Sequence, residues 1–218
     1  MGRYLSTAAI NNTTSGSSKK IYFKANASGS YPQSLAQTWT VPTGVNCATF
    51  EIWGGGGAGS PICCCTCYGG SPGSGGAYSM KTISVTPGTS YAITVGIGGC
   101  GNACWFNGNA CGCTGGITFV TGANLTNYCA EGGPGGSWCN VSPCQNGASC
   151  ASTAYGGDLC ITGRGPLIQG CCWYACQGGG VTGSSPFGGG WNWAPLSIGA
   201  ANICMDCASS GIFPGGGG

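Results

Sequence analysis

Histidine is absent from this chain. Without it, no Ser/His/Asp triad, no Cys/His dyad and no His-ligated metal can be assembled. Charge is almost as scarce, with six basic and four acidic residues in 218 and a net charge of +2. So small a surplus excludes nucleic-acid binding by counterion release. Helix formers do not recur at helical periods, which excludes a helix bundle or a Rossmann domain. No apolar run approaches the roughly 20 residues of a membrane-spanning helix. Met1–Asn12 carries one Arg but no continuous apolar stretch, so it does not read as a secretory signal. The carboxylates are Glu51, Glu131, Asp158 and Asp206. None sits in a recognisable acid/base pair of the kind a glycosidase needs. No catalytic residue, no cofactor and no metal site is assigned, and the chain reads as non-enzymatic.

Glycine and cysteine are what the sequence has in excess, 47 and 19 residues respectively. Their distribution divides the chain. Residues 1–35 hold Arg3, Lys19, Lys20 and Lys24, no acid and no cysteine. This stretch reads as an extended basic attachment arm. Its apolar motif Ile21-Tyr22-Phe23, flanked by Lys19 and Lys20, suits a strand that adds to the sheet edge of a larger assembly.

Residues 36–133 carry strand patterning. Gln37–Val41 places Trp39 and Val41 on one face. Asn46–Trp53 places Ala48, Phe50 and Ile52 on one face and Thr49 and Glu51 on the other. Ala77–Val85 follows, then Tyr91, Ile93, Val95 and Ile97 alternate, and Gly116–Val120 and Asn127–Ala130 are shorter candidates. Pro42-Thr43-Gly44 and Thr86-Pro87-Gly88-Thr89 read as turns, with Pro fixing φ and Gly tolerating a positive φ. Short strands separated by turns predict an all-β fold, an antiparallel β-sandwich with long Gly/Cys-rich loops.

From about Gly132 the alternation dissolves. Residues 134–218 read as a Gly/Cys/Trp-rich loop region packed on the sandwich, punctuated by Trp138, Trp173, Trp191 and Trp193. Trp191 and Trp193 alternate at strand spacing. They are the candidate binding residues for a glycan or a partner, since indoles stack on sugar faces. The competing reading makes them internal plugs of the glycine layer.

Nineteen cysteines in 218 residues is disulfide-scaffold density. The candidates are Cys63, Cys64, Cys65, Cys67, Cys100, Cys104, Cys111, Cys113, Cys139, Cys144, Cys150, Cys171, Cys172 and Cys176. Loops poor in apolar residues do not offset the entropy of their own ordering, so staples are the preferred reading. Connectivity does not follow from sequence. Cys64-x2-Cys67 and Cys204-x2-Cys207 have zinc-knuckle spacing but lie far apart, and buried thiols acting as small apolar plugs are a third reading. Pro143–Cys150 looks like part of an EGF-type module but lacks the Cys-x-Cys that should follow. Gly96-x-Gly98-x-x-Gly101 follows a strand as a dinucleotide fingerprint does, yet no helix pattern follows it.

Several motifs occur in a telling order: Trp39-Thr-Val-Pro-Thr-Gly-Val45, Phe50-Glu-Ile-Trp-Gly-Gly-Gly-Gly-Ala-Gly59, Gly75-Gly76-Ala77-Tyr78, Val85-Thr-Pro-Gly88, Tyr91-x-Ile-Thr-Val-Gly-x-Gly-Gly99 and Gly115-Gly-Ile-Thr-Phe119. This order resembles the glycine-rich domain of tail-fibre and appendage proteins of tailed bacteriophages. The resemblance implies a virion protein on the particle exterior, a β-sandwich with long Gly-rich excursions, and in some members host recognition. The partners it implies are other virion proteins, a host surface glycan, and further copies of the same chain, with a trimer favoured. No nucleic acid and no membrane span are expected. A capsid decoration or head fibre, a receptor-binding glycan adhesin and a secreted cysteine-rich structural protein are the alternatives. Cysteine enters nearly every loop here, whereas the family's glycine tracts are often cysteine-poor. That departure argues against the tightly packed polyglycine arrangement known in some tail adhesins.

Overall fold

The computed structural model describes residues 7–14, 17–25, 35–59, 73–100, 112–136, 151–165, 167–168 and 180–181. Two five-stranded antiparallel sheets face each other. The first has the order β10-β5-β4-β1-β2 and the second β3-β6-β7-β8-β9. In chain order the strands are β1 (Thr7–Thr14), β2 (Ser17–Lys24), β3 (Leu35–Thr40), β4 (Cys47–Trp53), β5 (Tyr78–Ser84) and β6 (Ser90–Val95). They continue with β7 (Thr118–Gly122), β8 (Leu125–Ala130), β9 (Ala154–Tyr155) and β10 (Leu159–Ile161). A separate pair, β11 (Leu167–Ile168) and β12 (Gly180–Val181), forms a small sheet of its own. The fold is all-β, as the alternation predicted, and no helix among the described residues is long and apolar enough to cross a membrane.

Period-two patterning sets the core. Ala48, Phe50 and Ile52 are buried along β4 while Cys47, Thr49 and Glu51 are only half-buried. Tyr91, Ile93 and Val95 do the same on β6 of the opposing sheet. Between the sheets Trp39 meets Phe50 edge-on, with ring centroids 5.8 Å apart, and Phe50 lies 5.2 Å from Tyr91. A second cluster, Trp53 and Tyr78 with Met80 and Ile161, packs separately from this core.

The turns behave as their residues dictate. Gly44 and Gly88 hold φ values of 84° and 83°, which a Cβ would strain. Thr89 N–H closes the second turn on the Thr86 carbonyl at 3.1 Å, a type II geometry with Pro87 and Gly88 in the central positions. The two turns interlock, since Gly88 N–H donates to Val41 O at 2.9 Å.

Residues 1–35 were expected as an extended arm separate from the body. Residues 7–25 are instead part of it. β1 and β2 form a hairpin, and β1 pairs with β4 from Ala8↔Ile52 to Asn12↔Ala48. Phe23 and Ala25 are buried in the core and Ile21 packs against it. The physical reason is that β4 is a strongly apolar strand whose free edge must be paired, and the chain's own hairpin pairs it.

The sandwich boundary drawn at residue 133 also moves. β9 pairs with β8 and β10 with β5, so the turn between them bridges one edge of the two sheets. There Asp158 Oδ2 accepts the Thr82 N–H at 2.8 Å, and Lys81 Nζ donates to Gly156 O at 2.7 Å. On the opposite edge Gln37 Nε2 donates to Lys24 O at 3.0 Å, tying β3 to β2.

Candidate functional site

The glycine tracts continue the strands beyond one end of the sandwich. Residues 54–59 extend β4, 96–100 extend β6, 131–136 extend β8 and 162–165 extend β10. Residues 73–77, 112–117 and 151–153 lead into β5, β7 and β9. None of these segments belongs to a sheet.

Their hydrogen bonds recur every third residue. Gly54 and Gly57 donate to Ala77 O and Ser74 O at 2.9 and 2.8 Å. Gly55 and Ala58 donate to a different neighbour, at Gly116 O and Cys113 O, 2.9 and 3.0 Å away. The carbonyls of Gly55 and Ala58 accept from Gly133 and Gly136 at 2.8 and 2.7 Å, and Gly56 O accepts from Gly99 at 2.8 Å. The outer segments obey the same step: Ser74 and Ala77 donate to Pro134 and Glu131, and Gly112 and Gly115 to Gly136 and Gly133. A β-strand repeats every two residues and has neighbours in one plane. A three-residue repeat with neighbours all round is that of a polyproline-II-type chain.

Such chains approach too closely for side chains. A Cβ on Gly55 would lie well inside 3.0 Å of the Ile97 carbonyl, and one on Gly115 would meet the Gly55 carbonyl in the same way. The tight polyglycine packing that the cysteine content argued against is therefore present in the described segments. The reason is positional. Cys113 falls between Gly112 and Gly115, the positions of its segment at which a Cβ would strike neighbouring backbone, and both Cys113 and Cys100 are only half-buried.

The bundle is joined to the sandwich through Thr118. Its hydroxyl accepts from Gly96 N–H at 2.9 Å and donates to Trp53 O at 2.6 Å, fully buried. Nearby, Ser152 Oγ donates to Gly75 O at 2.8 Å. Sequence reading passed over both residues, since a single Thr or Ser gives no periodic signal.

The inter-sheet turns at Pro42–Asn46 and Thr86–Thr89 and the β7–β8 hairpin turn at Gly122–Leu125 lie at the opposite end of the sheets. The connections 60–72, 101–111 and 137–150 all leave from the bundle side. They hold Cys63, Cys64, Cys65, Cys67, Cys104, Cys111, Cys139, Cys144 and Cys150. Those cysteines, with Cys171, Cys172, Cys176, Trp191 and Trp193, lie outside the described residues. Of the disulfide candidates, Cys100 and Cys113 are described, and their Sγ atoms stand 3.1 Å apart as free thiols. Among the described residues no three His, Cys, Asp or Glu side chains group as metal ligands would.

The proposed docking residues separate by face. Lys19 and Lys20 are exposed, as is Tyr22 at 59%. Phe23 is 8% exposed and serves its own core, so it is withdrawn from the docking set. The exposed outward row of β2 is Lys20, Tyr22 and Lys24.

Burial shapes the titrating groups. Tyr78 is pushed up to about 12 by burial and then by the charge of Glu51. Tyr128 is raised further, chiefly by burial. Cys113 is raised by its hydrogen bond with Cys100 and then by burial. Cys129 is raised by burial and then by Glu131 and Cys160.

A family model described as a glycine-rich domain matches residues 29–218. No curated protein matches the chain.

Proposed function

The chain belongs to the glycine-rich domain family, and from that premise we propose that it is a non-enzymatic structural protein of a phage virion. In this reading it is a tail-fibre or appendage component on the particle exterior. The observation that carries the proposal is the polarity of the molecule. Tight turns close one end of the sandwich, and the glycine bundle at the other end is the root of every long connection between strands β4 and β9. A bundle cemented by backbone hydrogen bonds anchors the points from which these connections depart without drawing on their sequence, which suits a surface that faces a changing host. The order of motifs from Trp39 to Phe119 supports the phage assignment.

Attachment to neighbouring virion proteins then falls to the outward row of β2, Lys20, Tyr22 and Lys24, in place of a detached arm. Self-association, with a trimer favoured, belongs to the same proposal, as does a host surface glycan as the target of Trp191 and Trp193.

Immunogold electron microscopy of purified particles, with antibody raised against the full chain, tests the reading. The expected result is label on the tail or its fibres. Label spread over the head makes the protein a capsid decoration. No label on intact particles sinks the virion assignment and returns the protein to a cysteine-rich structural role elsewhere.

A further inference from the structure

We propose that Cys100 and Cys113 are a disulfide-forming pair that closes the connection 101–111 at its base. The two residues sit opposite each other on antiparallel segments of the bundle. Three residues nearer the sandwich, Gly116 N–H donates to Ile97 O at 2.6 Å. At the next step of the repeat, Cys113 N–H reaches Cys100 O at 3.4 Å. The ladder loosens at its end, and it is there that the two thiols face each other.

Their sulfurs are 3.1 Å apart, about 1 Å more than the roughly 2.05 Å of a disulfide bond. Rotation about the two Cα–Cβ bonds is the movement by which the pair would close that gap. Neither residue is enclosed, so a small oxidant reaches them. Two other described thiols have different neighbours. Cys129 faces Asn127 Oδ1 at 3.9 Å, and Cys160 faces Ser79 Oγ at 3.4 Å.

The chemistry needs a two-electron oxidant, and a low-molecular-weight disulfide supplies it. One thiol, as its thiolate, attacks a sulfur of that disulfide and releases one small thiol. The second cysteine, losing its proton, then attacks the mixed disulfide and releases the other small thiol. One S–S bond forms and one breaks. The two protein thiols are oxidised, and their protons leave on the two small thiols. The consequence is a covalent clamp between the outer ends of 96–100 and 112–116, placed where the backbone ladder is weakest.

The test uses the full chain, folded in reductant and then exposed to glutathione disulfide. Remaining thiols are alkylated, and the protein is digested with chymotrypsin. Trp105 and Phe106 lie between the two cysteines, so cleavage there leaves two peptides joined only through sulfur. Fragment spectra then assign the bridge. The same digest of the double variant Cys104→Ser, Cys111→Ser removes the competing cysteines on those peptides. The expected result is a Cys100–Cys113 link in at least nine-tenths of the chains, unchanged in the double variant. Circular dichroism of each sample confirms retained sheet. Alkylated Cys100 or Cys113 in folded protein, or either one bridged to another cysteine, overturns the proposal.

Discussion

The hydroxyl of Tyr128 on β8 donates to the carbonyl of Phe50 on β4, in the opposite sheet, at 2.7 Å. The same oxygen lies 3.1 Å from Ser79 O. Tyr128 is 2% exposed, so this is a polar cross-brace inside an apolar core. Buried hydroxyls left without partners are costly, and here the braced carbonyls belong to adjacent strands of the first sheet. Tyr128→Phe keeps the ring and removes the brace. It should cost about 1–3 kcal/mol in urea unfolding. An unchanged midpoint would mean that the ring alone carries the packing.

Thr118 ties the sandwich to the bundle, and Thr118→Val keeps its shape while deleting both hydrogen bonds. A loss of about 1–3 kcal/mol is expected. Amide exchange should accelerate at Gly96 and in residues 112–117 more than in β4 or β6. Uniform acceleration across the sheets would show that Thr118 contributes only to the core.

Gly55→Ala and Gly88→Ala separate two roles of glycine. At Gly88 a methyl meets open space, and the positive φ alone is strained, costing about 1–2 kcal/mol. At Gly55 the methyl strikes backbone, which cannot step aside as a side chain does. Gly55→Ala should lose at least about 3 kcal/mol or fail to accumulate as folded protein. Equal effects in thermal unfolding would contradict the close packing.

Stability should fall at alkaline pH. An ordinary tyrosine titrates at 10.0, and Tyr78 is raised to about 12 in the folded state, with Tyr128 raised as well. Below pH 10 both states hold these protons, and their contribution is complete. Between pH 10 and 12 the unfolded chain releases them while the folded chain does not, so folding is progressively disfavoured. The urea midpoint should drop across this interval, and Tyr128→Phe should show a shallower drop. A flat profile would mean that both hydroxyls ionise as freely as in the unfolded chain.

Much of the sandwich was legible because alternation is a local signal. Trp39, Phe50, Ile52, Tyr91 and Val95 announce their faces by spacing alone, and Gly88 announces its turn by following Pro87. The hairpin β1–β2 was misplaced because the polar run around Asn11 gives no sign of which edge it will pair. That partner, β4, is chosen by the sheet as a whole. The bundle was hidden for a different reason. Its order resides in backbone groups that every residue shares, so a run such as Gly54–Gly57 looks the same whether packed or loose. Only the partners reveal the repeat, and they come from distant parts of the chain. The thiol pair Cys100/Cys113 was present among many candidates, but only the antiparallel step from Ile97/Gly116 selects it.

The three-residue repeat also makes the bundle a ruler. Each turn of such a chain advances about 9 Å. Lengthening the segments by whole triplets would carry the emerging connections outward by that step while every donor still meets its acceptor. Adding a single residue would instead rotate the tract by a third of a turn and break its register. Reach can therefore be adjusted in fixed increments, with glycine the only residue type the added length requires.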